Sequence, residues 1–326
     1  MQKSLGLTNI YYIIKPLLPR KFQIWLRRKI AQTKIQKYSN VWPILEKAGT
    51  PAKSWRGWPE GKKFALVLTH DVETAKGQQK CISLAELEKR LGFRSLFNFV
   101  PERYSVSENI RDYLVADNFE IGVHGLKHDG KLFRNKEIFK IRASRINRYL
   151  RDWNAEGFRS PAMHHNLEWL HELNIRYDLS TFDTDPFEPQ SDGIESIFPF
   201  WVKGRIYPDG YAELPYTLPQ DYTLFIIMKK SDIDIWKLKL DWVVKKGGMA
   251  LLNVHPDYMR FGGGNLKTEE YPATYYEKFL EYVKRKYQGE YWHALPSDIA
   301  RFVKLNLVGE VVETNQLCLH KRLIKS

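Results

Sequence analysis

The chain has 326 residues, of which 43% are apolar and 14% aromatic, enough to bury one large core or one core plus an appendage. No uninterrupted apolar run approaches the roughly 18 residues of a membrane span, and the mean hydropathy of -0.46 is typical of a soluble protein. The first residues lack the pattern of a secretion signal, and Cys81 and Cys318 form no CxxC pair, so we expect a cytoplasmic protein.

The net charge of +13 belongs mainly to residues 1–63, which hold 14 Lys or Arg against two acidic residues. Within them, YYIIKPLLPRKFQIWLRRKIAQ mixes aromatic, branched and basic residues as amphipathic helices do. We therefore predict a basic N-terminal extension over 1–63 and one larger domain over 64–326. The extension could lie peripherally on the anionic inner membrane, or pack on the protein's own surface or on a partner subunit.

After residue 63, short apolar runs alternate with longer amphipathic segments, which predicts a parallel sheet flanked by helices. The predicted strands cover residues 64–69, 95–100, 120–123, 223–228 and 249–254. The predicted helices cover residues 83–91, 109–117, 135–152, 233–246 and 272–287. Between 180 and 222, frequent Pro, Gly, Asp and aromatic residues indicate long loops or an irregular hairpin.

Two carboxylates follow the first predicted strand, in the segment FALVLTHDVET. Because residues two apart on an extended chain face the same side, Asp71 and Glu73 can point into one site. One carboxylate can bind a metal ion while the other acts as a base toward a metal-bound water. The alternative is a solvated strand end with an aspartate helix cap.

Two histidines four residues apart follow the third predicted strand, in the segment EIGVHGLKHDG. A single turn of chain can aim the imidazoles of His124 and His128 at a common point, and imidazole is the commonest ligand of zinc-like metals. Alone, the pair could equally be two surface histidines at the start of a helix.

Two more candidates follow other apolar runs. In EGFRSPAMHHN, Arg159 stands before Pro161, and a guanidinium there can hold a catalytic carboxylate ionised and oriented. His255 follows the run GGMALLNV, where it can protonate a departing amine. The alternatives are a surface arginine and a hydrogen-bonded core histidine. His164 and His165 are more typical of a loop than of a metal site.

All of these candidates share one position, because each follows the carboxyl end of a predicted strand. In parallel α/β folds that edge of the sheet is where active sites assemble. We therefore expect the side chains to meet in a single site. The candidates are Asp71, Glu73, His124, His128, Arg159 and His255.

Taken in chain order, these residues resemble the motif series of the polysaccharide deacetylases, the NodB-homology carbohydrate esterases of family 4. The resemblance runs from about residue 64 to about residue 258, and it implies that 64–326 is a catalytic domain of this kind. It implies an α/β fold, an irregular (β/α) barrel of about seven strands. The matching pairs are Asp71 with Glu73, His124 with His128, Arg159 with Pro161, and Leu252 with His255.

Three features depart from the family pattern. One residue separates the two first-motif carboxylates, and Glu73 stands where the Asp-x-Asp branch of the family has aspartate. Ala162 and Met163 follow the Arg-x-Pro turn in place of the common aromatic residue. The Asp- and Trp-bearing motif is incomplete, since TFDTDPFEP offers only Asp183 and Asp185, for which a turn-forming role is an equal alternative.

The resemblance implies a metal-dependent hydrolase that removes N-acetyl groups from an amino sugar or glycan by cleaving the C–N amide bond. It also implies a divalent metal ion, with zinc as the first expectation. The implied ligands are His124, His128 and Glu73, and the implied base, orienting residue and acid are Asp71, Arg159 and His255.

Other functions stay open beside this one. An amidohydrolase acting on a non-sugar acyl amide would use the same residues, because the motifs define the bond and not the molecule around it. A non-catalytic carbohydrate-binding relative is a further alternative, given the substituted Glu73. Nucleic-acid binding is disfavoured, since residues 64–326 together carry a net charge of about +1.

Overall fold

The computed structural model of the protein describes residues 19–204 and 210–307. The first part of the predicted basic extension and Cys318 lie outside the described residues. The helices are α1 (Arg20–Lys37), α2 (Ala75–Gln78), α3 (Cys81–Leu91), α4 (Glu108–Ala116), α5 (Lys136–Asp152), α6 (Asp234–Lys246), α7 (Thr274–Tyr287) and α8 (Pro296–Leu307). The predicted helices of the larger domain are thus found within a few residues of their expected bounds.

Nine strands form the main sheet. They are β1 (Phe64–Val72), β2 (Leu96–Phe99), β3 (Glu120–His124), β4 (Gly157–Arg159), β5 (Tyr177–Asp178), β6 (Phe200–Lys203), β7 (Gly210–Glu213), β8 (Met249–Val254) and β11 (Tyr291–His293). Their order is β11-β1-β2-β3-β4-β5-β7-β6, and β8 pairs with β1. All pairs are parallel except β6 with β7. A small separate sheet joins β9 (Met259–Arg260) and β10 (Tyr271–Pro272).

The main sheet curls into a half-barrel. The chain after β7 forms parallel bridges from Tyr216 to Phe182 and from Leu218 to Leu252 of β8, which brings the two sides of the sheet together. All nine residues of β1 are buried, as expected for a strand covered on both faces. The predicted α/β architecture, a NodB-like irregular (β/α) barrel, is confirmed.

The strand predicted over 223–228 is wrong, because this segment is a π-helix over Tyr222–Ile227. A short apolar run fits a buried strand or a buried helix equally well, and residues 223–227 are all buried. The Asp221 side chain accepts a hydrogen bond from the backbone N–H of Tyr222 at the start of the helix. The edge of β8 is already occupied, since Leu218 N–H donates to Leu251 O at 3.1 Å.

The described part of residues 1–63 packs on the barrel. Helix α1 lies against the π-helix, where the Arg28 guanidinium donates to Ile226 O at 3.0 Å. Arg20 pairs with Glu269 at 2.8 Å, and Trp42 and Trp58 are buried in the core. The domain boundary at residue 63 stays a prediction. Among the described helices, none combines the length and apolarity that a membrane crossing requires.

Candidate metal centre

The carboxyl ends of four parallel strands bring the six predicted residues to one edge of the sheet. In the sheet register, His70 of β1 lies opposite Val254 of β8, so Asp71 and His255 follow adjacent paired positions. Likewise, His124 of β3 lies opposite Arg159 of β4. Neighbouring parallel strands thus place their next residues side by side, which is why residues distant in sequence meet here.

Three side chains could hold a metal ion together. One ligand atom from each of Glu73, His124 and His128 lies within 4.8 Å of the others. His128 Nε2 approaches Glu73 Oε1 to 2.9 Å without hydrogen-bond geometry, so this buried nitrogen has no hydrogen-bond partner among the described residues. Two imidazoles and one carboxylate form a donor set that suits zinc and leaves a position for water or substrate. The residues therefore fit a divalent metal ion.

A backbone contact fixes the orientation of His124. Its Nδ1 lies 3.1 Å from Arg159 O, and a carbonyl can only accept, so Nδ1 carries the hydrogen and Nε2 is free to bind a metal. Burial lowers the pKa of His124 to about 4, more than the nearby Asp71 carboxylate raises it. The imidazole is thus neutral near pH 7, as a metal ligand must be.

The loop between the two histidines is tightly constrained. His128 has a φ of +53°, a left-handed conformation that is uncommon for a non-glycine residue. Gly125 also lies in this region, at φ +62°, and a Cβ added there would come within 2.5 Å of the Pro161 ring. The His-x3-His loop therefore packs directly on the Arg-x-Pro turn.

Asp71 is held by three donors at the centre of the site. Asn98 Nδ2 and Arg159 NH1 donate to Oδ1 at 3.1 and 3.2 Å, and Asn253 Nδ2 donates to Oδ2 at 2.9 Å. Burial opposes ionisation of Asp71, but His124 and Arg159 outweigh it and hold its pKa well below the usual range. Asp71 is therefore a fixed anion, and it lies outside the three-residue ligand group.

His255 and Asp221 form a buried pair beside Asp71. His255 Nδ1 lies 2.7 Å from Asp221 Oδ1, and its Nε2 lies 4.0 Å from Asp71 Oδ2. Burial alone would lower the pKa of His255, but Asp221 and the two nearby carboxylates raise it to about 10. Tyr271 O–H also donates to Asp221, at 2.9 Å. His255 is thus protonated near neutral pH and can donate from Nε2.

Asp221, Asn98 and Asn253 did not emerge from the sequence pattern. Asn98 lies opposite Asp71 in the register of β2 with β1, and Asn253 lies opposite Thr69 in the register of β8 with β1. Each asparagine is a polar residue within an otherwise apolar strand, and this pattern in the sequence could have pointed to both. Asp221 stands in the irregular region before the π-helix, where no periodic signal points to it.

The other sequence candidates have structural partners. Asp183 pairs with the buried Lys239 at 2.5 Å, and Asp185 accepts from Tyr216 O–H at 2.9 Å. His165 Nδ1 lies 2.9 Å from Met163 O. The described ligand group includes none of these residues.

By sequence, no family model and no curated protein matches the chain. Several solved structures, however, are similar to it in three dimensions. A protein described as a polysaccharide deacetylase from Mycobacterium smegmatis has 17% identity and a TM-score of 0.62, covering 81% of this chain and 96% of its own. A probable polysaccharide deacetylase from Pseudomonas aeruginosa PAO1 has 16% identity and a TM-score of 0.57, with coverages of 77% and 94%. An allantoinase has 16% identity and a TM-score of 0.57, with coverages of 79% and 96%.

At these identities the similarity shows the fold and nothing finer. The chain has the fold of the polysaccharide deacetylases, as the resemblance of its motifs implied. The same fold also carries an allantoinase, so the reaction has to be argued from the site itself.

Proposed function

We propose that the protein is a metal-dependent hydrolase that removes N-acetyl groups from an amino sugar or glycan. One observation carries the proposal: a candidate metal centre of two histidines and a glutamate lies next to a buried anionic carboxylate and a protonated histidine. In particular, Asp71 Oδ2 lies 3.9 Å from His124 Nε2 and 4.0 Å from His255 Nε2. A base and an acid flanking a metal site are the parts that amide hydrolysis requires.

Glu73, His124 and His128 would hold the metal ion, for which zinc is our proposal. When bound, such an ion polarises the acetyl carbonyl and lowers the pKa of a coordinated water toward about 7. The chain's own contribution is the fixed geometry of these ligands, above all the contact from His124 Nδ1 to Arg159 O.

Asp71 would accept the proton of the attacking water. Its three donors keep Asp71 ionised and oriented. Arg159 is itself held in place, because its guanidinium also donates to Asn253 Oδ1 at 2.6 Å and to Leu179 O at 3.0 Å. A carboxylate with so low a pKa accepts a proton only transiently. The proton therefore has to leave Asp71 once the amide bond has broken, and it passes to His255 or to solvent.

His255 would protonate that leaving nitrogen. Asp221 binds its Nδ1, so the proton on Nε2 faces the same space as Asp71 Oδ2. Because the Asp221 carboxylate raises the pKa of His255, the imidazole can carry the proton that it would donate. After donation, the neutral imidazole regains its proton from solvent or from Asp71.

The test is metal analysis of the purified protein coupled to acetate release from a panel of N-acetylated glycans. We expect close to one divalent metal ion per chain, acetate release that a chelator abolishes, and recovery when zinc is added back. The matched variant is His128→Ala, which should lose metal and activity together. Metal binding without turnover on any substrate would instead support a non-catalytic carbohydrate-binding relative.

An amidohydrolase acting on a non-sugar acyl amide is the second candidate, and the shared fold with an allantoinase favours keeping it. The two candidates differ in substrate and not in the residues at the metal centre. Adding allantoin and simple N-acyl amides to the same panel separates them. Hydrolysis of these compounds, with no acetate released from glycans, would replace the first proposal by the second.

We also propose a cytoplasmic location with peripheral attachment to an anionic membrane through residues 1–63. The outer face of α1 supports this, since Phe22 and Trp25 are 46% and 52% exposed and stack at 5.5 Å between their ring centroids. Exposed Lys21 and Lys29 lie on the same face. Aromatic rings beside lysines suit the interface of an anionic bilayer.

Flotation with anionic liposomes tests this attachment. Replacing Phe22 and Trp25 by serine should reduce liposome binding at least tenfold, because the variant loses the inserting rings. The matched control replaces Ile141, which is 62% exposed on α5, by serine and should bind like the wild type. Equal binding of all three proteins would remove the proposal and leave α1 as an arm packed on the barrel.

A further inference from the structure

The loop that follows β8 makes two hydrogen bonds to the residues directly after β1. Asp257 Oδ2 accepts from the backbone N–H of Glu73 at 2.9 Å, and Asp257 Oδ1 accepts from Thr74 Oγ1 at 2.5 Å. The packing is close, since a Cβ added at Gly77 would lie 2.1 Å from Asp257 Oδ2. The backbone that carries Glu73 is therefore fixed from the side of His255.

The next residue of this loop, Tyr258, contacts the Glu73 carboxylate itself. Tyr258 O–H donates to Glu73 Oε2 at 3.0 Å, while the other oxygen, Oε1, lies 2.9 Å from His128 Nε2. The two oxygens thus have separate partners, one held by a phenol and one facing the metal ligands. The donor on Oε2 favours the orientation in which Oε1 faces the metal ligands.

Packing in turn fixes the tyrosine ring. Tyr258 is only 8% exposed, and its ring centroid lies 5.3 Å from that of His255 and 5.0 Å from that of Tyr222. Its backbone belongs to the same turn, because Tyr258 N–H donates to His255 O at 3.1 Å. The hydroxyl is therefore presented from a rigid support.

A glutamate ligand needs such support more than an aspartate does. Its side chain has one more rotatable bond, so holding its carboxylate at a metal costs more conformational entropy. Outer contacts that orient a ligand typically change metal affinity by about 10–100-fold. The contact from Tyr258 meets this requirement at the position where the sequence has Glu73 instead of aspartate.

We infer that Tyr258 is a positioning residue for the metal ligand Glu73, acting through its hydroxyl. The inference rests on the metal centre of the proposed function but not on the identity of the substrate. The loop after β8 would then carry the acid His255 and also set the geometry of the metal site. The acid and one ligand are then placed by a single structural element.

Zinc affinity of the metal-free protein tests the inference, measured by competition with a chromogenic chelator. Tyr258→Phe should bind zinc about 10–100-fold more weakly than the wild type, because Glu73 loses its orienting donor. Tyr276→Phe is the matched control, since Tyr276 O–H donates to Glu88 in the core and not to a ligand. This control should keep wild-type zinc affinity.

Coupling to Glu73 separates positioning from general damage. In a Glu73→Asp background the shorter carboxylate cannot reach the phenol, so Tyr258→Phe should then weaken zinc binding less than about threefold. An equal loss in both backgrounds, or wild-type affinity of Tyr258→Phe, would overturn the inference. If Tyr258→Phe does not fold, Tyr258→Leu provides the same comparison.

The outcome is independent of turnover. Weaker zinc binding by Tyr258→Phe in a protein that hydrolyses no acyl amide would uphold the positioning role and refute the proposed function. An active deacetylase whose Tyr258→Phe variant binds zinc normally would uphold the function and refute the positioning role.

Discussion

Two carboxyl groups, Asp71 and Asp185, are equally buried and yet have opposite properties. Each is 2% exposed. Asp71 is bound by Arg159 and two asparagine amides, and its pKa lies well below the usual range despite its burial. For Asp185, burial and the neighbouring Glu188 carboxyl raise the pKa to about 8. Burial sets the size of the electrostatic effect, and the partners set its sign.

The partners of Asp185 explain its neutral form. Tyr216 O–H lies 2.9 Å from Asp185 Oδ2 and 3.0 Å from Glu188 Oε1, and its single hydrogen can serve only one of them. A second proton on one of the carboxyls satisfies both contacts. Asp71 at the strand edge is thus a charged group suited to proton transfer, whereas Asp185 in its loop is a neutral group suited to packing. The two sites give predictions of graded size.

The largest effect is expected for Asp71→Asn. The amide retains the shape of the side chain but cannot accept the proton of the water, so kcat should fall by about 10³-fold. Zinc content should stay near the wild-type value, because Asp71 lies outside the ligand group. Steady-state kinetics together with metal analysis check both parts, and substantial residual turnover would refute the role of Asp71 as base.

A smaller effect is expected for Asp221→Asn, which removes the anion that raises the pKa of His255. In the metal-free wild type, the imidazolium should persist up to about pH 10. The stabilisation from the ion pair should be complete below about pH 6.5 and be lost as the pH rises from about 6.5 to about 10. In the variant, the pKa should fall toward or below its usual value near 6.5. NMR titration of His255 measures the shift, and activity at pH 8 should drop about tenfold or more.

An unchanged His255 titration in the Asp221 variant would show that the pair does not control the acid. The Asn98→Ala variant is a useful control, since Asn98 contacts Asp71 and not His255. Its His255 titration should resemble that of the wild type.

The smallest effect on activity is expected for Asp185→Asn, because a neutral carboxyl is replaced by a neutral amide. Turnover should stay within about threefold of the wild type. Stability should respond to pH instead, since a carboxyl with a raised pKa holds its proton in the folded state after the unfolded chain has lost it. The free energy of unfolding of the wild type should therefore fall as the pH rises from about 4 to about 8, and that of the variant should fall less.

Thermal unfolding at pH 5 and pH 8 measures this difference. We expect the drop in Tm to be at least about 2 °C smaller in the Asp185 variant than in the wild type. Identical drops in the two proteins would mean that Asp185 is ionised in the folded state, and the contrast with Asp71 would disappear.

The sequence predicted the longer strands and the six side chains at the strand edge because both follow from periodicity. Strand β1 and strand β8 are long apolar runs, and polar residues placed directly after such runs are visible without a structure. The placement of these residues in one site also followed from the parallel arrangement of the strands.

Other features depend on tertiary contacts that have no local signal. The π-helix at Tyr222–Ile227 has the composition of a strand, but the edge of β8 is already occupied by Leu218. Asp221 and Tyr258 contact partners that lie 34 and 185 residues away in sequence. Strand β5, with two residues, is too short to leave a periodic pattern.

The central claim is that Glu73, His124 and His128 bind one metal ion with Asp71 beside it and not on it. Anomalous diffraction at the zinc edge, from crystals grown with zinc, tests this most directly. We expect one strong peak about 2.0–2.2 Å from an atom of each of the three ligands, with no bond to Asp71. A peak bonded to Asp71 in place of Glu73, or no peak between the two histidines, would contradict it.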